Sequence, residues 1–249
     1  MNKPIIICED SFQIAWAKVI LALKAEKWKA WNIIVQIEHP AMFEKTNDKI
    51  LECFAMDHSL LLPKHVAHTI FPQTFYRRDV SRERLYEKYW RFYRRTRDKP
   101  RNGWGTYFER MINYSMPSGV IDQLGNIIDN INNRQTNYGA SFIIIIPYPH
   151  RDLNKIMGAP CLNNISVQVE NISKFKNKKV INLLAVYRNH DFTERAYGNY
   201  SGLCNLIKYI ANETNSIVGK LTCISSHAFI PNYKKELLNI ANIILGAAP

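Results

Sequence analysis

From Ser141 to Ile146 the chain reads Ser-Phe-Ile-Ile-Ile-Ile, and Pro147-Tyr148-Pro149 stops the run at once. A continuous apolar run this short, closed by prolines, reads as a buried strand, and a buried strand needs sheet neighbours. Candidates are Pro4 to Cys8, Asn32 to Glu38 (ended by His39-Pro40), Ile165 to Val169, Val180 to Tyr187 and Lys220 to Ser225, with Phe229 near the far end of the last. Helical spacing marks Phe12 to Glu26 behind a good N-cap, Ser11, then Arg82 to Arg95, Trp104 to Ile112 and Ser118 to Asn130. Leu203 to Thr214 and Tyr233 to Ile244 follow, while Ala41 to Gln73 reads as irregular with helical pieces and Lys99 to Gly103 as a loop. Strands and helices alternate irregularly, which predicts an α+β or mixed-sheet α/β fold and argues against a doubly wound parallel sheet. With 249 residues, 47% of them hydrophobic, and no repeat or Gly/Ser linker, a single domain over residues 1–249 is expected.

No run approaches the roughly 18 apolar residues of a membrane helix, and the N-terminal apolar stretch is too short for a secretory signal. Five cysteines (Cys8, Cys53, Cys161, Cys204 and Cys223), with no C-x-x-C pair, suggest neither a disulfide framework nor a metal site. A reducing cytoplasm is the expected compartment, and the four cysteines other than Cys161 are expected to be buried apolar thiols. Net charge is +12. Much of it lies between Arg77 and Arg101, where eleven basic residues interleave with Tyr86, Tyr89, Trp90, Phe92 and Tyr93. Such a block attracts phosphates or nucleic acid. The plainer expectation is the solvated face of an amphipathic helix, since Leu85, Tyr89 and Phe92, and Tyr86, Trp90 and Tyr93, recur at helical spacing.

Chemistry concentrates later. Gly158-Ala159-Pro160-Cys161-Leu162-Asn163 is followed by Tyr187-Arg188-Asn189-His190-Asp191 and then by Ala196-Tyr197-Gly198-Asn199-Tyr200. A cysteine behind a proline, an Arg-polar-x-Asp cluster and a downstream Asn resemble, in order and spacing, the active-site half of the thymidylate synthase family. The similarity runs from about Asn133 to Phe229 and is greatest to the archaeal-type branch, where Leu follows the cysteine. It implies a three-layer fold with a large mixed sheet, one face of which packs on a second subunit to give a homodimer.

The resemblance also implies roles. Cys161 would be the nucleophile that adds to C6 of a pyrimidine, which requires a soft, partly ionised thiol, and Arg188 would lower its pKa. Cys161 is accordingly expected to be the most reactive thiol of the chain. The plainer alternative, a buried structural cysteine after a proline, is outweighed by the matched motifs downstream. Arg188 and Asn189 would contact the nucleotide phosphate, Asp191 the pyrimidine and pterin, Asn199 the pyrimidine edge, and His227 the sugar hydroxyl. Trp104-Gly105-Thr106-Tyr107-Phe108-Glu109-Arg110 resembles the segment bordering the nucleotide pocket, with Tyr107 and Glu109 as candidate proton relays. An aromatic helix packed on the sheet would read the same way.

The chain departs from the family pattern at Phe229, where a tyrosine is usual, and at Thr136-Asn137-Tyr138, where a Ser-Arg-Arg would lend phosphate contacts. Glu26 to Trp31 replaces an Arg-Thr-Gly loop. Losing a buried charged partner costs about 2–5 kcal/mol of binding, so Arg134, Lys27 or the Arg-rich segment would have to refill the phosphate pocket. The expected activity is one-carbon transfer, methyl or hydroxymethyl, from 5,10-methylenetetrahydrofolate to C5 of a pyrimidine nucleotide or related heterocycle. The alternative is a member that kept the fold without the reaction, a binding or regulatory protein contacting nucleic acid through Arg77–Arg101.

Overall fold

The computed structural model describes residues 3–97, 103–134, 140–152, 154–171 and 178–246. Its centre is a mixed sheet of seven strands. β1 (Ile5–Glu9), β2 (Lys29–Ile37), β9 (Ile217–Phe229), β7 (Lys179–Tyr187), β6 (Leu162–Asn171) and β5 (Phe142–Ile145) lie side by side in that order, and the short β8 (His190–Asp191) pairs with the end of β9. β1 runs parallel to β2 and β7 parallel to β9, whereas β2–β9, β6–β7 and β5–β6 are antiparallel. This is the mixed α+β architecture that the irregular alternation of elements predicts.

Alternation along the strands sorts side chains between two faces. Ile33, Val35, Leu183, Ala185, Leu221 and Cys223 point inward and are buried. They meet α1 (Phe12–Ala25) and α8 (Ala196–Glu213), and α9 (Lys234–Ile244) packs against α1. Ser11 caps α1 as expected, accepting from Ile14 N at 3.3 Å. α8 is the innermost helix, with buried side chains on almost every side. Over it lies α3 (Pro63–Ile70), which with α2 (Lys45–Asp57) forms the helical pieces expected between Ala41 and Gln73. The α3–α8 contact depends on two glycines one turn apart. A Cβ on Gly198 would stand 2.6 Å from both Pro63 O and Val66 Cβ, and one on Gly202 2.8 Å from Ala67 O. That close approach brings Val66 and Thr69 to the functional end of the sheet. The opposite sheet face carries no helix among the described residues and includes exposed Ile6, Trp31, Ile143 and Ile145.

Four expectations need correction. Residues expected to begin a helix at Ser118 instead form a hairpin, β3 (Tyr114–Met116) with β4 (Gly119–Ile121), and the helix α6 (Gln123–Asn133) starts behind Asp122, whose carboxylate accepts from Gly125 N at 2.8 Å. Turn-forming Ser118-Gly119 and β-branched Val120-Ile121 favour the hairpin there. In α4 (Arg82–Arg97), Leu85, Tyr89 and Tyr93 form the buried stripe, while Trp90 and Phe92 are each 37% exposed. One row every four residues faces the core, not two rows. α8 begins seven residues before the expected Leu203, because small and aromatic residues rather than aliphatic ones form its first two turns. Finally, Cys8 and Cys53 are exposed; only Cys204 and Cys223 are buried. Lys99, Arg101 and Thr136-Asn137-Tyr138 lie outside the described residues. No helix among the described residues is long and apolar enough to cross a membrane.

Candidate active site

Cys161 stands where a loop enters β6. The next residue, Leu162, pairs with Tyr187 at the end of β7, and Arg188 N donates to Cys161 O at 2.9 Å. The Arg188 side chain then turns back under the loop. Its Nε donates to Pro160 O and its Nη1 to Lys155 O, both at 3.1 Å, and its Nη2 to Ile156 O and Ala159 O, both at 3.4 Å. The guanidinium is thus engaged by the carbonyls of the cysteine-bearing loop, a clamp that fixes the position of Cys161. One Nη1 N–H is left over, so a bidentate grip on a phosphate would have to break some of these bonds.

β8 carries His190 and Asp191 alongside Ala228 and Phe229 of β9. Asp191 accepts from Thr193 N at 2.7 Å. Burial raises its pKa, against the lowering effect of the Thr193 and Glu194 N–H groups. Asn199 lies in the first turn of α8. Its amide nitrogen is 3.1 Å from His190 Nε2, which makes Nε2 the acceptor and leaves the ring proton on Nδ1, 2.8 Å from Ser225 Oγ. The imidazole stacks on Tyr187 at 4.2 Å and 3°. Burial drives its pKa from an ordinary 6.5 to about 3, so the ring is neutral and holds Asn199 as a fixed acceptor.

These elements enclose a cleft of about 150 Å³. Of the residues singled out in the sequence, Cys161, Tyr107, Asn189, Asp191 and Asn199 line it together. His227 lies one bond behind the wall: its Nδ1 is 2.7 Å from Asn189 Oδ1, and its ring stacks on Phe229 and meets exposed Trp31 at a tilt. Burial, then the charge of Lys29, lowers its pKa. Glu109 and Arg134 are not on the wall. Glu109 closes the capping box of α5 (Tyr107–Ile112), accepting from Thr106 N and from the Tyr93 hydroxyl. Arg134 ends α6 with its guanidinium 5.7 Å from the Phe142 ring centroid. Lys27 sits in the turn after α1, also off the wall.

The cleft further includes Val66, Thr69, Trp104, Ala159, His190 and Arg195. Trp104, Ala159 and His190 belong to the quoted motifs, although no role fell on them. Arg195 could have been noticed as a charge between the Asp191 and Asn199 motifs. Nothing in the sequence pointed to Val66 and Thr69, which arrive by the packing of α3. Burial raises the Cys161 pKa, outweighing the lowering effect of Arg188 and Arg195. The Tyr107 hydroxyl is raised further, chiefly by burial and secondly by Cys161, with the Leu162 N–H countering. Burial therefore favours the neutral thiol of Cys161, against the ionisation that Arg188 was expected to promote, and likewise the neutral phenol of Tyr107 beside it. One small cavity thus offers a soft nucleophile, a proton donor, a carboxyl, an oriented amide and a guanidinium.

No family model matches the chain. Similarity does extend to archaeal proteins named "Putative thymidylate synthase". That of Methanococcoides burtonii is 27% identical over 142 residues, covering 57% of this chain and 58% of the relative. That of Methanosarcina mazei is 26% identical over 141 residues with the same coverage. The chain therefore spans somewhat over half the length of the curated relatives it matches. These similarities support a distant thymidylate synthase-like relationship.

Proposed function

We propose that the protein transfers a one-carbon unit, methyl or hydroxymethyl, to C5 of a pyrimidine nucleotide or related heterocycle through a covalent adduct at Cys161. The observation that carries this reading is the convergence of Cys161, Tyr107, Asn189, Asp191 and Asn199, distant in sequence, on one cleft. Its volume suits a single six-membered ring. Asn199, fixed by His190, presents its remaining amide groups to a base edge, Cys161 Sγ adds at C6, and the proton leaving Sγ passes to a neighbouring base or water. Trp104 and the protonatable Asp191 fit the flat, hydrogen-bonding edge of a pterin. Bound 5,10-methylenetetrahydrofolate would supply the one-carbon unit at the methylene level and, for a methyl product, the hydride as well; water would complete a hydroxymethyl product, the C5 proton would pass to solvent, and elimination would release Cys161. A cytoplasmic single-domain protein acting as a homodimer completes the reading, supported by the uncovered apolar face of the sheet.

Intact-protein mass spectrometry after incubation with dUMP, dCMP and the folate tests this. A mass increase mapped to Cys161 and lost in Cys161→Ser is expected. No adduct with any of these ligands, and no turnover, would reject the catalytic reading. A second reading, a binding or regulatory protein without the reaction, draws support from the raised thiol pKa and the engagement of Arg188. Exposed Arg84, Arg91 and Arg94 on α4, with no ion pair or hydrogen bond from their guanidinium groups among the described residues, would then meet nucleic acid.

A further inference from the structure

The cleft holds a guanidinium for which the described residues supply no hydrogen-bond acceptor. Arg188 is held by four loop carbonyls. Arg110 is fully buried against Asp152, Ile146 O and Trp104 O, and Arg151 donates to Trp104 O. Arg195 differs. It lines the cleft with Cys161, its side chain is 31% exposed, and its guanidinium makes no hydrogen bond among the described residues. Its Nε forms a long ion pair with Glu194 Oε2 at 3.7 Å, beyond hydrogen-bond reach, and the other oxygen of that carboxylate accepts from Leu61 N at 2.7 Å. Asp191, the carboxylate among the lining residues, accepts from the Thr193 N–H and forms no ion pair with Arg195 among the described residues. A partly enclosed guanidinium facing a cavity with its donors unmatched is completed by oxygen from water or ligand, and its planar fork matches phosphoryl or carboxylate oxygens best.

We propose that Arg195 is the anion-binding side chain of the cleft, gripping an oxyanion of the ligand beside Cys161 while Arg188 serves to hold the cysteine loop. Identifying that oxyanion with a nucleotide phosphate rests on the one-carbon-transfer reading; the anion contact itself does not. The charge of Arg195 also favours ionisation of Cys161, so its removal acts on the thiol as well as on the ligand.

The test follows the rate of Cys161 alkylation by iodoacetamide, resolved from Cys8 and Cys53 by peptide mass spectrometry. Inorganic phosphate and, separately, glutarate are titrated at constant ionic strength. Wild-type protein should be protected several-fold and saturably by one of them: phosphate points to a phosphoryl ligand, glutarate to a carboxylate. Arg195→Gln should lose that protection and show the alkylation pH profile moved to higher pH. Arg195→Lys, which keeps the charge without the fork, should retain the profile with weakened protection, and it decides the matter if the glutamine variant does not fold. Protection that is absent from wild type, or unchanged in both variants, overturns the proposal. Calorimetric titration with dUMP and deoxyuridine separates it from the reading above. Anion protection without nucleotide binding removes the nucleotide and leaves the contact standing, whereas equal dUMP affinity in wild type and Arg195→Gln removes Arg195 from nucleotide recognition.

Discussion

His190 is 1% exposed and enclosed by the rings of Tyr187, Phe192 and Tyr200, so its imidazole stays neutral to a pH near 3. The consequence for stability has a definite sign. A base whose folded pKa lies below its unfolded 6.5 contributes its stability above 6.5 and loses it as pH falls toward 3. Urea titrations at pH 7, 5 and 4 should therefore show stability falling by a few kcal/mol, on the scale of about 1.4 kcal/mol per pKa unit. His190→Gln should flatten that slope, and an equal slope in both proteins would place the acid sensitivity elsewhere. Burial likewise ranks the thiols. Cys8 and Cys53 are exposed, Cys161 is partly buried with a raised pKa, and Cys204 is buried with its thiol pushed up to about 12. Iodoacetamide at pH 8 should modify Cys8 and Cys53 first, Cys161 next, and Cys204 and Cys223 last in the free protein. The Cys161 rate should still climb above pH 9, because its thiol ionises later than an ordinary one. Modification of Cys161 first, with a plateau below pH 8, would show its thiolate to be stabilised in the free cleft.

At the level of elements, the cleft wall depends on how closely α3 can settle on α8. Gly198→Ala would put a Cβ against Pro63 O and Val66 Cβ, and neither backbone nor a β-branched side chain yields easily. Overpacking of this kind costs about 1–3 kcal/mol, against at most ~1 kcal/mol of helix propensity gained. The expected result is a Tm lower by several degrees, since 1 kcal/mol shifts a chain of this size by about 2–4 °C, together with slower Cys161 alkylation as Val66 is displaced. A Tm equal to or above wild type would mean that α3 shifts without strain. The same helix pair marks where the sequence stopped being readable. Strand β5 was legible from its unbroken run of isoleucines, β7 from a mostly apolar run interrupted by Asn182, and α1 from Ser11 and its stripe. α2 and α3 were legible only as helical pieces without bounds, because neither has a side-chain N-cap and their apolar stripes are short. The site divided in the same way. Motif spacing identified Cys161, Asn189, Asp191 and Asn199 because β6, β7, β8 and α8 bring them together locally, whereas Val66 and Thr69 come from a helix some hundred residues earlier. Glu109 looked available for catalysis because a capping box and a proton relay both ask for a carboxylate near a hydroxyl.

For the whole molecule, the informative feature is the sheet face that no described helix covers. Register lines up Ile6, Ile34, Ile224, Val186, Asn164 and Ile145 across all six main strands, five of the six apolar, with Ile6 64% and Ile145 48% exposed. Trp31, 70% exposed, extends the patch toward His227. A contiguous apolar band of this breadth is unusual on a monomer and fits an interface. A second copy is the occupant the resemblance implies, and a two-fold arrangement would make the patch its own complement. Multi-angle light scattering should therefore give twice the 29.0 kDa chain mass at micromolar concentration. Ile224 sits in the middle of that row, so Ile224→Arg would place one unpaired charge from each copy inside the interface. An unpaired buried charge costs several kcal/mol, enough to move the dissociation constant by orders of magnitude. The variant should run as a monomer yet keep its circular dichroism, because position 224 points away from the core that α1, α8 and α9 cover. If wild type scatters as a single 29.0 kDa chain at every concentration, the dimer is wrong, and the apolar band must be covered by another partner or by chain outside the described residues.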